Sequence, residues 1–207
     1  MKRFIVFLAV CALAVPVTAQ MAGLPVADGA TPLGPSVMRA SGGIVLGDNM
    51  NLYGGRFWMG ITEEITAFGD AGILSPDRGD NGFGGQVGGL YALPLDVPFE
   101  VAARATLGYG KMDQKVFGTS VDISITTIGA GVVGSTIIDA FTIYGYLGLN
   151  HTRSKVSYTG GSSSDSDTDP ALGAGVAYEI NPQLSVYGEI MHIDDPWFGV
   201  GVRYQLP

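Results

Sequence analysis

Arg56, Asp70, Glu100, Arg104, Glu179, Glu189 and Arg203 each fall in a stretch whose alternate positions are largely apolar, among glycines, alanines and hydroxyl residues. Charges placed so sparsely on a face that is not solvated have to meet opposite charges, because an unpaired buried ion is costly. Their types therefore point to interlocking ion pairs or to the lining of a narrow conducting pore. A second group could do acid–base chemistry: His151 lies three residues before Ser154, and His192 precedes Asp194 and Asp195. A general base must reach its nucleophile within hydrogen-bond distance. Neither arrangement forms a catalytic motif, so no catalytic residue is assigned. Asp165, Asp167 and Asp169 alternate as ligands of a calcium loop do, yet the central glycine and distal glutamate of such a loop are missing. They read as a solvated acidic loop. The run GAGVVG at 129–134 lacks the strand-turn-helix setting of a nucleotide site. No metal or cofactor is implied.

The elements that must carry these side chains are strands. Period-two alternation marks segments at 36–46, 51–61, 65–74, 83–93, 99–110, 121–134, 141–153, 171–180, 184–193 and 197–206. No window carries a helical apolar stripe, so the chain reads as all-β. In the last segment Phe198, Val200, Val202, Tyr204 and Leu206 share one face, opposite Gly199, Gly201, Arg203 and Gln205. In 99–110, Phe99, Val101, Ala103, Ala105, Leu107 and Tyr109 oppose Glu100, Ala102, Arg104, Thr106, Gly108 and Gly110.

Composition decides which face meets which solvent. Of 207 residues 46% are apolar, 14% are charged and 32 are glycine, the glycine share being about twice the usual ~7%. A water-facing exterior would carry interspersed Lys, Glu, Asp and Arg. Here lysine is nearly absent from the strands, and small residues dominate the non-apolar face. The better fit is a narrow barrel with lipid outside and glycines with a few ions inside. Backbone groups in lipid must all pair, so the sheet closes with an even strand count: ten, or eight if 36–46 and 51–61 do not span.

Residues 1–19 are expected to be a secretory signal peptide: Lys2 and Arg3 precede an apolar run from Phe4 to Val17 that is too short to span as a helix, followed by Val17-Thr18-Ala19. The sole cysteine, Cys11, lies in it, so the processed chain has no disulfide. Residues 20–35, with three prolines, are expected to be a flexible lead, and 36–207 the barrel. The net charge of −8 becomes about −10 once Lys2 and Arg3 are removed, and nothing resembles a nucleic-acid-binding stripe. Compact joins at 62–64, 94–98, 135–140 and 181–183 alternate with polar ones at 75–82, 111–120 and 157–170, whereas 47–51 and 194–196 break the trend. Tight periplasmic turns and longer outer loops have this rhythm.

LGAGVAYEINPQLSVYGEIMHI at 172–193, followed by FGVGVRYQL at 198–206, resembles the C-terminal strands of the small outer-membrane β-barrel superfamily, similar to the outer membrane protein A barrel domain and the opacity-type surface proteins. Such barrels usually finish on an aromatic residue. Here Tyr204 and Leu206 keep the spacing, and Pro207 follows. The resemblance implies an outer-membrane location and a structural or surface-interaction role. Its partners would be outer-membrane lipid and lipopolysaccharide, with an extracellular partner reached through 75–82, 111–120 and 157–170. Two alternatives remain: a narrow porin-like channel for small solutes, and a secreted soluble barrel that binds an apolar ligand inside. An inserted barrel is expected to fractionate with outer membranes and to migrate differently in unheated and heated detergent gels; a protein that stays soluble and migrates identically in both contradicts it.

Overall fold

The computed structural model describes Leu24 and residues 26–207, apart from 78, 117, 118 and 159. The expected leader and the lead residues 20–23 lie outside the described residues. Ten strands follow in order: β1 (Met38–Leu46), β2 (Met50–Gly60), β3 (Ile65–Pro76), β4 (Gly82–Ala92), β5 (Glu100–Val116), β6 (Thr119–Ile138), β7 (Phe141–Tyr158), β8 (Gly161–Asn181), β9 (Leu184–Ile193) and β10 (Asp195–Gln205). Each pairs antiparallel with its sequence neighbours, and β1 closes on β10 from Arg39↔Gln205 to Leu46↔Phe198. The result is a closed up-and-down barrel of ten strands, the larger of the two expected counts.

Four strands run past their expected ends. β5 to β8 span 17, 20, 18 and 21 residues, against 9–12 for the others. Much of 111–120 and 157–170, expected as loops, is therefore hairpin. Val116 pairs with Thr119, and Tyr158 with Gly161. These segments carry serine, threonine and aspartate on both faces, so they pair as strand without showing apolar alternation. Pro170 sits where β8 has risen past β9, whose pairing begins only at Leu172↔His192, so it breaks no bond on that side. At the opposite end the joins are short, and Asp139 turns β6 into β7 with φ of 54°.

Large apolar side chains point outward. Val87, Leu107, Ile128, Leu147 and Val200 are each more than half exposed. Phe83 lies 6.3 Å from Tyr109 toward the long-strand end, and Phe141 lies 5.0 Å from Tyr178 toward the short-turn end. Two aromatic belts flanking an apolar band are the exterior of a membrane barrel, and a soluble barrel with its apolar face inward is ruled out.

The interior differs from expectation in two respects. Toward the long-strand end it is apolar, packed with Leu52, Leu74, Ile125, Met191, Ile193 and Trp197, rather than with glycines and ions alone. In addition, the described part of the lead does not lie free: Leu24, Val26, Ala27, Ala30 and Leu33 are buried inside the barrel. Glycines make the room. A Cβ on Gly201 would stand 2.5 Å from Tyr187 Oη and 2.6 Å from the Gly42 carbonyl oxygen, and one on Gly88 would stand 2.5 Å from Phe68. Inward aromatics thus lie flat against neighbouring strands and leave the axis open. Gly42, facing outward, has nothing within 4 Å of a Cβ. Gly201→Ala is expected to cost about 1–3 kcal/mol by overpacking and Gly42→Ala less than about 0.5 kcal/mol, measured as shifts in the heating midpoint of the gel-mobility change.

Candidate functional site

The inner wall toward the short-turn end, with the chain segment it holds, is the part of the protein richest in buried polar groups. Inward parity on ten strands brings Arg56 and Asp70, Arg104, Glu189 and Arg203 to the same lumen from β2, β3, β5, β9 and β10. Arg56 is the hub. Its Nε donates to Asp70 Oδ2 at 2.7 Å, its Nη1 donates to the Val26 carbonyl at 2.7 Å, and its Nη2 donates both to Asp70 Oδ2 and to the Leu24 carbonyl. Trp58 and Phe68 rings flank it with centroids 5.5 and 4.6 Å from Cζ. A planar guanidinium suits this, since several fixed N–H donors meet carboxylate and carbonyls at once while its faces stack on rings. Gln86 completes the hub, donating from Nε2 to Leu24 O at 2.5 Å and to Asp70 Oδ2 at 3.1 Å.

Below the hub, Asp28 receives Arg203 Nη1 at 2.6 Å and Arg39 Nη1 at 2.8 Å. Glu189 Oε2 accepts the Ala27 amide at 2.8 Å and the Tyr144 hydroxyl at 3.1 Å. The Ala30 amide donates to Ser135 Oγ and the Leu33 amide to Thr66 Oγ1, both at 2.8 Å. The wall thus supplies donors for the segment's carbonyls and acceptors for its amides, a replacement for the partner strand that an extended chain otherwise needs. Arg104 is buried beside the rings of Phe68 and Tyr146, 5.1 and 5.6 Å from their centroids. A cavity of about 190 Å³ remains at the short-turn mouth, lined by Asp28, Arg39, Glu179 and Arg203 among others.

Two expected members stand apart. Glu100 and Glu179 have the inward parity, but both lie at the strand ends beside the short turns and are exposed. Alternation fixes a face and says nothing of depth. Conversely, Asp28, Arg39, Thr66, Gln86, Ser135 and Tyr144 join the network without having been singled out. Asp28 carried one faint signal: it is the only charge between Leu24 and Leu33.

The other candidates do not converge. His151 is exposed on the outer face, where its Nδ1 is 2.8 Å from Thr168 Oγ1, whereas Ser154 lies on the opposite face of the same strand. His192 is exposed on the outer face of β9. Asp165 and Asp167 are exposed, and Asp169 is partly buried, with its carboxyl held above the usual range by desolvation first and then by Asp167 and Asp194. Among the described residues no three metal-ligating side chains come together.

The geometry agrees with the comparisons. No curated protein matches the chain. Among solved structures it is similar to the attachment invasion locus protein Ail of Yersinia pestis, at 18% identity over 83% of this chain and 99% of that one, with a TM-score of 0.42. It is also similar to the outer membrane protease OmpT of Escherichia coli, at 9% identity over 86% of this chain and all of that one, with a TM-score of 0.54. At 9% identity the likeness to OmpT concerns the fold alone. The family model for the outer membrane protein beta-barrel domain matches residues 6–205, nearly the whole chain. With ten strands closed, apolar side chains outward and a polar network inside, the chain belongs to the outer membrane protein beta-barrel domain family.

Proposed function

We propose that this protein is a closed outer-membrane barrel with a structural or surface-interaction role, exported by a signal peptide at residues 1–19 and sealed inside by Leu24 and residues 26–34 together with the lumen ion pairs. The observation that carries the reading is the Arg56 hub, which ties Asp70 of the wall to the backbone of the segment. A solvent-filled pore would leave those donors to water. Instead the segment occupies the axis in the short-turn half, and the apolar cluster around Leu52, Leu74 and Trp197 fills the other half.

The surface role rests on the hairpins of β5–β6 and β7–β8, whose polar ends rise beyond the apolar band. In the orientation expected for short periplasmic turns, these ends face outside the cell, where an extracellular partner would meet them. Lipid and lipopolysaccharide contact the band and its upper rim.

Planar-bilayer recordings separate this reading from a porin-like channel. The refolded protein is expected to give no discrete conductance steps, and neutralising Arg104 or Arg203 to Gln leaves that silence unchanged. Regular open steps from the unmodified protein, altered in size by either substitution, would contradict a sealed lumen.

A further inference from the structure

Beyond Lys2 and Arg3 the chain has nine basic residues in a protein of strongly negative net charge. Arg39, Arg56, Arg104 and Arg203 are turned inward and engaged there. Every other cation with a described side chain, Lys111 of β5 and Arg153 and Lys155 of β7, lies on the outward face either side of β6, within one step of the same height. No described cation sits on the outward face at the short-turn rim.

The register places these three closely. Lys111 of β5 is opposite Ser124 of β6, which is opposite Lys155 of β7, and Ser164 of β8 follows in the same row. One step nearer the barrel, Tyr109, Thr126, Arg153 and Ser166 form the next row, and below that come Leu107, Ile128, His151 and Thr168. Strand spacing of about 4.8 Å puts the Lys111 and Lys155 backbones roughly 10 Å apart, with Arg153 about 7 Å below. The apolar band ends immediately beneath, at the exposed side chains of Leu107, Ile128, Leu149 and Leu172. Arg153 and Lys155 have no carboxylate partner among the described residues, and Lys111 has only a loose, exposed contact, its Nζ 3.7 Å from Asp113 Oδ1. Above the cations, Asp113 and Asp122 face one another across the strands. This carboxylate pair repels an anion from above and confines it to the rows beneath.

We propose that Lys111, Arg153 and Lys155, with the hydroxyls of Ser124, Thr126 and Ser166, form a binding site for the phosphate groups of an outer-leaflet glycolipid. The acyl chains of that lipid lie along the leucine and isoleucine band of β5 to β8. The site rests on the reading that the long-strand end faces the outer leaflet, and it deepens the lipid partnership to one lipid chemistry on one face. Three rim cations lend such a contact about a hundredfold in affinity.

The test uses the refolded protein in neutral detergent, titrated with bis-phosphorylated lipid A and with its dephosphorylated counterpart, and bound lipid is counted by native mass spectrometry. The unmodified protein is expected to bind the phosphorylated lipid far more tightly than the other. Lys111→Gln/Arg153→Gln/Lys155→Gln is expected to lose about a hundredfold, and Arg153→Gln alone about fivefold, while both keep the gel-mobility change on heating. Equal affinity for the two lipids, or a folded triple variant that binds as the parent does, overturns the site while leaving the barrel reading intact. Abolition of binding by millimolar inorganic phosphate would identify a free-phosphate site and overturn the assignment to lipid.

Discussion

A sheet immersed in lipid has no water to satisfy an open edge, so it must close. Closing ten strands leaves an axis that the side chains of a glycine-rich wall do not fill, and the arrangement of the interior follows from that constraint. Inward aromatics such as Phe68 and Tyr187 lie across glycines of adjacent strands. In the short-turn half the protein's own segment from Leu24 to Leu33 is buried against that wall and bonded to it. Arg56 is central because it satisfies the wall carboxylate and two backbone carbonyls of that segment together. Removing it would leave the buried Asp70 carboxylate without its cationic partner, held by Gln86 alone, as well as loosen the segment, a loss of several kcal/mol rather than that of a surface pair.

Polar and apolar fillings are segregated along the axis. Ions and amides cluster where the segment supplies partners, and Leu52, Leu74, Ile125, Met191 and Trp197 pack together toward the long-strand end. Outside, the same segregation runs radially: a leucine, valine and isoleucine band faces lipid, and all the described outward cations gather at one rim. The protein's negative charge is therefore locally reversed at the height where phosphates of a lipid leaflet would lie.

The membrane-spanning part of the fold was legible because each strand there meets two different media. Lipid on one side and a packed lumen on the other impose alternation, and all ten strands were located from it. Where both faces are wet, as at Ser162, Ser163, Ser164 and Asp165, the alternation lapses and hairpin resembles loop. Arg56, Asp70, Arg104, Glu189 and Arg203 are buried in the structure and Glu100 and Glu179 of the same parity are exposed at the mouth, a difference that period two cannot show because it carries no information about height. The luminal segment was opaque for a different reason. It pairs with side chains rather than with a neighbouring strand, so Leu24, Val26, Ala27, Ala30 and Leu33 follow no period, and its prolines read as a flexible lead.

The claim that the N-terminal segment lies inside the wall is tested most directly by a cross-link. A Cβ on Gly29 would stand 3.1 Å from Ser135 Cβ, close to the ~3.5–4.5 Å of a disulfide, and the only native cysteine, Cys11, falls in the expected leader. Gly29→Cys with Ser135→Cys, isolated from outer membranes without denaturation, is expected to form the intramolecular disulfide nearly quantitatively. Two free thiols, both open to a bulky polar reagent in the folded barrel, would place the segment outside the lumen and contradict the account.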